Sequence, residues 1–292
     1  MATDLNELRV GFDSRLMAHF AHQRTTRLAR FPALAEAIAY SLGAGGKRVR
    51  ALLALGACRA CGGDEEAAAT LGVAIEYLHC YSLIHDDLPA LDNDDMRRGS
   101  PASHKRFGEA MAILAGDALQ GLCHATLAQI NSPNQPEIAQ LVGDAALLMV
   151  GGQSLDILAT PGNTNAAGLE IIHRNKTGAL ISASLAAGGL CAQETTQAQQ
   201  QALARMGESL GLAFQITDDL LEHSQSSEEL GKSSASDARN AQPTYPSIMG
   251  EKAARQQVAE CHAATRECLS IFDPARAGLL NTLCEYLLQR TS

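Results

Sequence analysis

Five carboxylates fall within ten residues in DDLPALDNDD: Asp86, Asp87, Asp92, Asp94 and Asp95, at the end of an apolar helical run that Pro89 interrupts. Charges so crowded repel one another unless multivalent cations or solvent separate them, and Arg97 and Arg98 are too few to neutralise them all. Oxygen donors without nearby His or Cys spacing favour magnesium over zinc, and magnesium shares its other positions with water and substrate phosphate. The substrate is therefore expected to carry phosphates. Taken alone, the motif also fits a solvated acidic loop that caps a helix. A second pair changes that balance: Asp218 and Asp219 in FQITDDLLE close another helical segment, and Glu222 lies four residues beyond Asp218 on the same face. Two facing metal clamps are the expectation.

These residues need rigid elements to hold them. About fifty alanines against six valines, with no tryptophan, form helices well and sheets poorly, so the expected class is all-α. The pattern predicts helices near 4–22, 32–43, 47–60, 64–86, 109–130, 135–158, 166–190 with a break, 196–222, 251–270 and 274–289. No linker divides the 292 residues, and a single-domain bundle of ten or more helices around a central cavity would let the two acidic motifs face each other. The motifs stand 132 positions apart, which hints at duplication but defines no repeat unit. The longest irregular stretch is the polar segment 223–243, expected to be an active-site lid or else a disordered surface insertion.

A formal charge of -9 argues against nucleic acid or an anionic membrane as the main partner. The N-terminus carries acids where a signal peptide would be basic, and no window approaches eighteen uninterrupted apolar residues, so a cytoplasmic protein without stable membrane insertion is expected. Of the eight cysteines, Cys58 and Cys61 form a lone CxxC, a weak zinc or redox signal; all eight are expected as reduced packing residues.

DDLPALD followed by DMRRG, GGKRVR at 45–50, Lys176 and Thr177 in HRNKTGAL, and FQITDDLLE with Gly231 and Lys232 after it run in one order over nearly the whole chain. Together they resemble the trans-type isoprenyl diphosphate synthases, and within that family the short bacterial farnesyl diphosphate synthases. The resemblance implies the isoprenoid-synthase bundle, usually as a homodimer, acting on small isoprenyl diphosphates. Three magnesium ions would be held by Asp86, Asp87, Asp92, Asp218, Asp219 and Glu222. Lys47, Arg50, His79 and Arg98 would hold isopentenyl diphosphate, and Arg97, Lys176, Thr177, Gln215 and Lys232 the allylic diphosphate. Asp86, Asp92, Arg97, Lys176, Asp218 and Lys232 would carry catalysis, in which the allylic diphosphate ionises and the isopentenyl double bond attacks the resulting cation. Gln153 and Asp156 in GGQSLD match a family pattern without a defined role.

Two residues depart from the pattern, Glu222 where aspartate is usual and Gln242 where lysine is common; weakened allylic binding is expected from them. Tyr81 and Ser82, just before the first acidic motif, are expected to floor the cavity and stop growth at fifteen carbons, with geranyl or geranylgeranyl diphosphate as the alternative products. A terpene cyclase would share the acidic motifs but has no need of Lys47, Arg50 and His79. A non-catalytic subunit of a heteromeric synthase is the remaining alternative.

Overall fold

The computed structural model describes residues 5–160, 162–229 and 243–288, with residues 222 and 224–229 as backbone alone. The class is all-α. In chain order the helices are α1 (Leu5–Thr25), α2 (Pro32–Gly43), α3 (Val49–Ala60), α4 (Glu65–Asp86), α5 (Ser103–Phe107), α6 (Glu109–Leu127), α7 (Gln135–Leu158), α8 (Ala166–His173), α9 (Ala179–Leu190), α10 (Gln197–Glu229), α11 (Tyr245–Met249), α12 (Glu251–Leu269) and α13 (Gly278–Leu288). A π-helical turn, Arg174–Gly178, joins α8 to α9.

The central helix is α4, apolar on all sides and accordingly buried, from Leu71 through Leu78. Asp64 caps its start by accepting from the Glu66 N–H at 2.9 Å, and its C-terminal end delivers Asp86 and Asp87 before Pro89 forbids continuation. It packs on α3 and α6, while α9 packs on α3, α7 and α10. The larger core draws on α1 to α4, α6, α7, α9, the first half of α10 and α13; a smaller cluster that includes Leu169, Leu212, Ile216, Tyr245 and Ala254 joins α8, α10, α11 and α12.

Three features depart from the sequence expectations. The helix carrying the second acidic pair continues to Glu229, so the first residues of the expected irregular segment 223–243 are helical; no Gly or Pro falls between Glu222 and Gly231. Lys232 and Gln242, like the side chain of Glu222, lie outside the described residues. A two-stranded hairpin, β1 (Met96–Arg97) and β2 (Ser100–Pro101), follows the first acidic motif, and its turn is Arg98–Gly99, both at positive φ. That pair of left-handed residues matches the twist a two-residue hairpin needs. Its strands are too short for a periodicity signal.

Two described helices, α4 and α7, are long and apolar enough to cross a membrane by length and composition. In α4 that surface is mostly buried in the bundle; in α7 it is mostly exposed.

Candidate active site

A cavity of about 780 Å³ opens between the N-terminus of α3, the C-terminal half of α4, the π-turn and α10. Its lining gathers Lys47, Arg50, His79, Ser82, Asp86, Asp92, Arg97, Arg98, Lys176, Thr177, Gln215 and Asp218, all singled out from sequence. Leu83, Met149, Ile181 and Phe214 add an apolar wall. One side of the cavity can thus hold charge and another hydrocarbon.

Each aspartate pair divides its labour. Asp86 and Asp218 face the cavity, whereas Asp87 and Asp219 are buried and not among its lining residues. The Asp87 carboxylate accepts from Arg97 Nε at 2.9 Å and from the same guanidinium's Nη2, which also reaches Asp94 Oδ2 at 3.2 Å. Asp219 Oδ2 lies 3.1 Å from His173 Nε2 and accepts the Tyr245 backbone N–H at 2.9 Å. Neighbours on a helix point about 100° apart, so of the four aspartates expected at metal only Asp86 and Asp218 line the cavity.

Electrostatics mark Asp86 as the strained member. Burial lifts its pKa to about 6, Lys176 partly opposes this, and nearby Asp92 adds to it. A bound cation would relieve that cost. The donor set facing the cavity, Asp86, Asp92 and Asp218, is oxygen only and suits a hard divalent ion. Among the described residues no preformed cluster of three or more His, Cys, Asp or Glu ligands occurs. Magnesium asks for less: one or two carboxylates, with substrate phosphate completing the shell.

The same cavity gathers cationic side chains. Arg50 Nη1 lies 3.4 Å from His79 Nε2, and burial followed by Arg50 and Arg98 holds His79 well below its usual pKa, so its imidazole is neutral at pH 7. Arg50 Nε is a buried donor with no partner among the described residues. An anion in the cavity would satisfy it. Arg98 donates to the Gly45 carbonyl and lies against Gly46, where a Cβ would come within 2.8 Å of the guanidinium. Gly46 also has φ +145°, so the glycine there is doubly required.

Lys176 and Thr177 sit on the π-turn, whose wider winding is the break expected from sequence. Lys176 Nζ donates to Asp156 Oδ2 at 2.7 Å, and Thr177 Oγ1 donates to Gln215 Oε1 at 2.7 Å. Gln153 Nε2 reaches Asp92 Oδ1 at 3.3 Å. The GGQSLD stretch of α7, which had no role from sequence, therefore steadies both sides of the cavity. Its Gly152 touches the π-turn so closely that a Cβ would stand 2.2 Å from Lys176 N. Because that neighbour is backbone, Gly152→Ala must push the turn aside, at a typical overpacking cost of about 1–3 kcal/mol. Thermal melts should place Gly152→Ala several degrees below wild type; an unchanged melting temperature would mean the turn accommodates the methyl group.

Arg48 was not singled out from sequence and is the best-anchored cation here. It caps α3 with φ 51° and bonds to Asp13 Oδ1 at 2.7 Å, Glu76 Oε2 at 2.8 Å and the Leu42 carbonyl at 2.9 Å. The floor expectation also changes. Ser82 lines the cavity, but Tyr81 does not: its ring is buried edge-on against His85, with centroids 4.9 Å apart.

The polyprenyl synthetase family model matches residues 31–274. Among known proteins, the chain is 40% identical over 267 residues to geranylgeranyl pyrophosphate synthase 9, chloroplastic, of Arabidopsis thaliana, covering 87% of this chain and 73% of that one. It is 41% identical over 265 residues to the chloroplastic geranylgeranyl pyrophosphate synthase of Capsicum annuum, covering 87% and 71%. Among solved structures, an FPP/GFPP synthase from Zymomonas mobilis superposes with a TM-score of 0.84 at 32% identity, covering 99% of this chain and 100% of that one.

Proposed function

This chain belongs to the polyprenyl synthetase family and is a chain-elongating prenyltransferase, and from that premise we propose that it condenses isopentenyl diphosphate with allylic diphosphates up to geranylgeranyl diphosphate. The observation that carries the reading is one cavity lined both by Asp86, Asp92 and Asp218 and by Lys47, Arg50, His79 and Arg98. Two separate diphosphate-binding corners are what a condensation needs, and a cyclase needs only one.

Asp86, Asp92 and Asp218 would hold magnesium together with the allylic diphosphate. When bound, magnesium supplies positive charge to the leaving oxygens. Lys176, held at 2.7 Å from Asp156, meets the same oxygens, and Thr177 and Gln215 line the adjoining wall. As the C1–O bond breaks, diphosphate departs with the electron pair, and preorganised cations lower the cost of the developing charge. Arg50, with its unpartnered Nε, orients isopentenyl diphosphate beside neutral His79. The isopentenyl double bond then bonds to C1. The proton lost from isopentenyl C2 passes to the released diphosphate, since the carboxylates facing the cavity are the metal's.

The relatives favour twenty carbons over the fifteen expected from sequence. Tyr81 fits that change, because its ring is not in the cavity lining. Fifteen carbons remain the second reading, on the strength of the aromatic placed next to the lining residue Ser82. Chromatography of dephosphorylated products separates the two. Wild type should run to twenty carbons, Tyr81→Ala should match it, and Ser82→Phe, which puts a ring into the lining, should shorten the product. Wild type stopping at fifteen, with Tyr81→Ala running longer, would establish the second reading instead.

The chain acts as one catalytic unit and as a homodimer in this reading. Support comes from Ile113 and Leu114 on α6 and Leu147 and Val150 on α7, all exposed by 43% or more. A second copy would cover them, and light scattering should give about twice the monomer mass for wild type and the monomer mass for Leu147→Asp. Monomeric wild type that floats with lipid vesicles would turn the reading toward a membrane surface. All eight cysteines are free and seven are buried, which suits a reducing compartment.

A further inference from the structure

Four positions of α10 spaced four apart, Gly207, Gly211, Gln215 and Asp219, run down one stripe of that helix. Each meets the antiparallel segment formed by α9, the π-turn and the last residue of α8. A Cβ on Gly207 would come within 2.5 Å of Ser182 Cα, and one on Gly211 within 2.6 Å of Gly178 Cα. One turn on, Gln215 accepts from Thr177 at 2.7 Å, and one turn further Asp219 pairs with His173 at 3.1 Å. Two backbone contacts are thus followed by two polar rungs. His173 immediately precedes the π-turn, and Asp219 immediately follows the cavity-facing Asp218.

The geometry points to Asp219 and His173 as positioning residues: their rung fixes the register of the π-turn, which carries Lys176 and Thr177, against Asp218 on α10. Both residues are less than one-tenth exposed, and Asp219 is already committed to two donors, His173 and the Tyr245 N–H. The Tyr245 ring stacks on His173 at 5.5 Å between centroids, which holds the imidazole edge toward the carboxylate. A π-turn is a rare, single-turn departure from α-helical winding, and a rung at its first edge holds that winding in register. The effect on turnover rests on the prenyltransferase reading above; the rung itself does not.

Hydrogen exchange of the ligand-free protein tests the rung without activity. Amides 174–178 should exchange about tenfold faster in His173→Leu than in wild type, and His173→Gln, which returns an N–H near the Nε2 position, should restore most of the protection. Kinetics then test the consequence: His173→Leu and Asp219→Asn should each raise KM for the allylic diphosphate about tenfold, leave KM for isopentenyl diphosphate within about twofold, and combine non-additively. Unchanged exchange in His173→Leu overturns the proposal whatever the activity. So does an Asp219→Asn variant whose magnesium requirement rises while His173→Leu keeps wild-type kinetics, since Asp219 would then act on metal. If the wild type does not condense these substrates, the functional reading fails and exchange alone decides the rung.

Discussion

Asp86→Asn is expected to lower turnover at least about a thousandfold and yet make the metal-free protein more stable. Burial raises the Asp86 pKa to about 6, so its charged form costs the folded state free energy that the unfolded chain does not incur. The sign follows from proton uptake. Between about pH 4 and pH 6 the folded protein binds the proton more readily than the unfolded one, so stability falls as pH rises through that window and stays low above it. Asparagine carries no charge and should remove the fall. The gain above pH 6 is on the order of 2 kcal/mol, or several degrees of melting temperature. Thermal melts in chelator across pH 4 to 8, with turnover at saturating magnesium, read both effects. A variant that melts lower than wild type, or that keeps its activity, would remove Asp86 from the role of a carboxylate held at the cavity for a cation. Asp87 differs in its partner and not in the direction of its shift: burial raises its pKa as well, but the bonded Arg97 opposes this, so Asp87→Asn also breaks an ion pair.

That contrast shows where the sequence stopped being readable. The helices carrying the site follow from alanine-rich composition and periodic apolar positions, which is why α2, α4 and α7 lie close to where the pattern puts them. The break before Gly178 was also legible, although its form as a π-turn depends on Gly152 crowding Lys176 from another helix. Which aspartate of each pair faces the cavity was not legible. Asp86 and Asp87 are both acids at one helix end, and only the tertiary placement of Arg97, His173 and Tyr245 separates their roles. The placement of Tyr81 outside the cavity lining was hidden for the same reason: one residue of helix rotation decides between lining and core.

Arg48 is the residue whose loss should cost the most stability. It lines the cavity together with Lys47 and Arg50, but its guanidinium is tied to Glu76, which also belongs to the lining and is 2% exposed. Burial works against the charge, but Glu76 and Asp13 more than offset it and hold the guanidinium above its ordinary pKa. Arg48→Met keeps length and removes charge, leaving the buried Glu76 carboxyl without its partner; breaking a buried pair in this way costs about 3–5 kcal/mol. For a chain of this size that is a fall in melting temperature of about 10 °C. If the uncompensated carboxylate is the cause, Glu76→Gln added to Arg48→Met should recover at least half of the loss. A double variant as unstable as the single would assign the cost to lost packing instead. Function should follow stability here. Arg48 ties the first turn of α3 to α1 through Asp13, to α2 through the Leu42 carbonyl and to α4 through Glu76, and that turn presents Lys47 and Arg50 to the cavity. At a temperature where Arg48→Met remains folded, KM for isopentenyl diphosphate should therefore rise more than KM for the allylic substrate, whose expected contacts are on the π-turn.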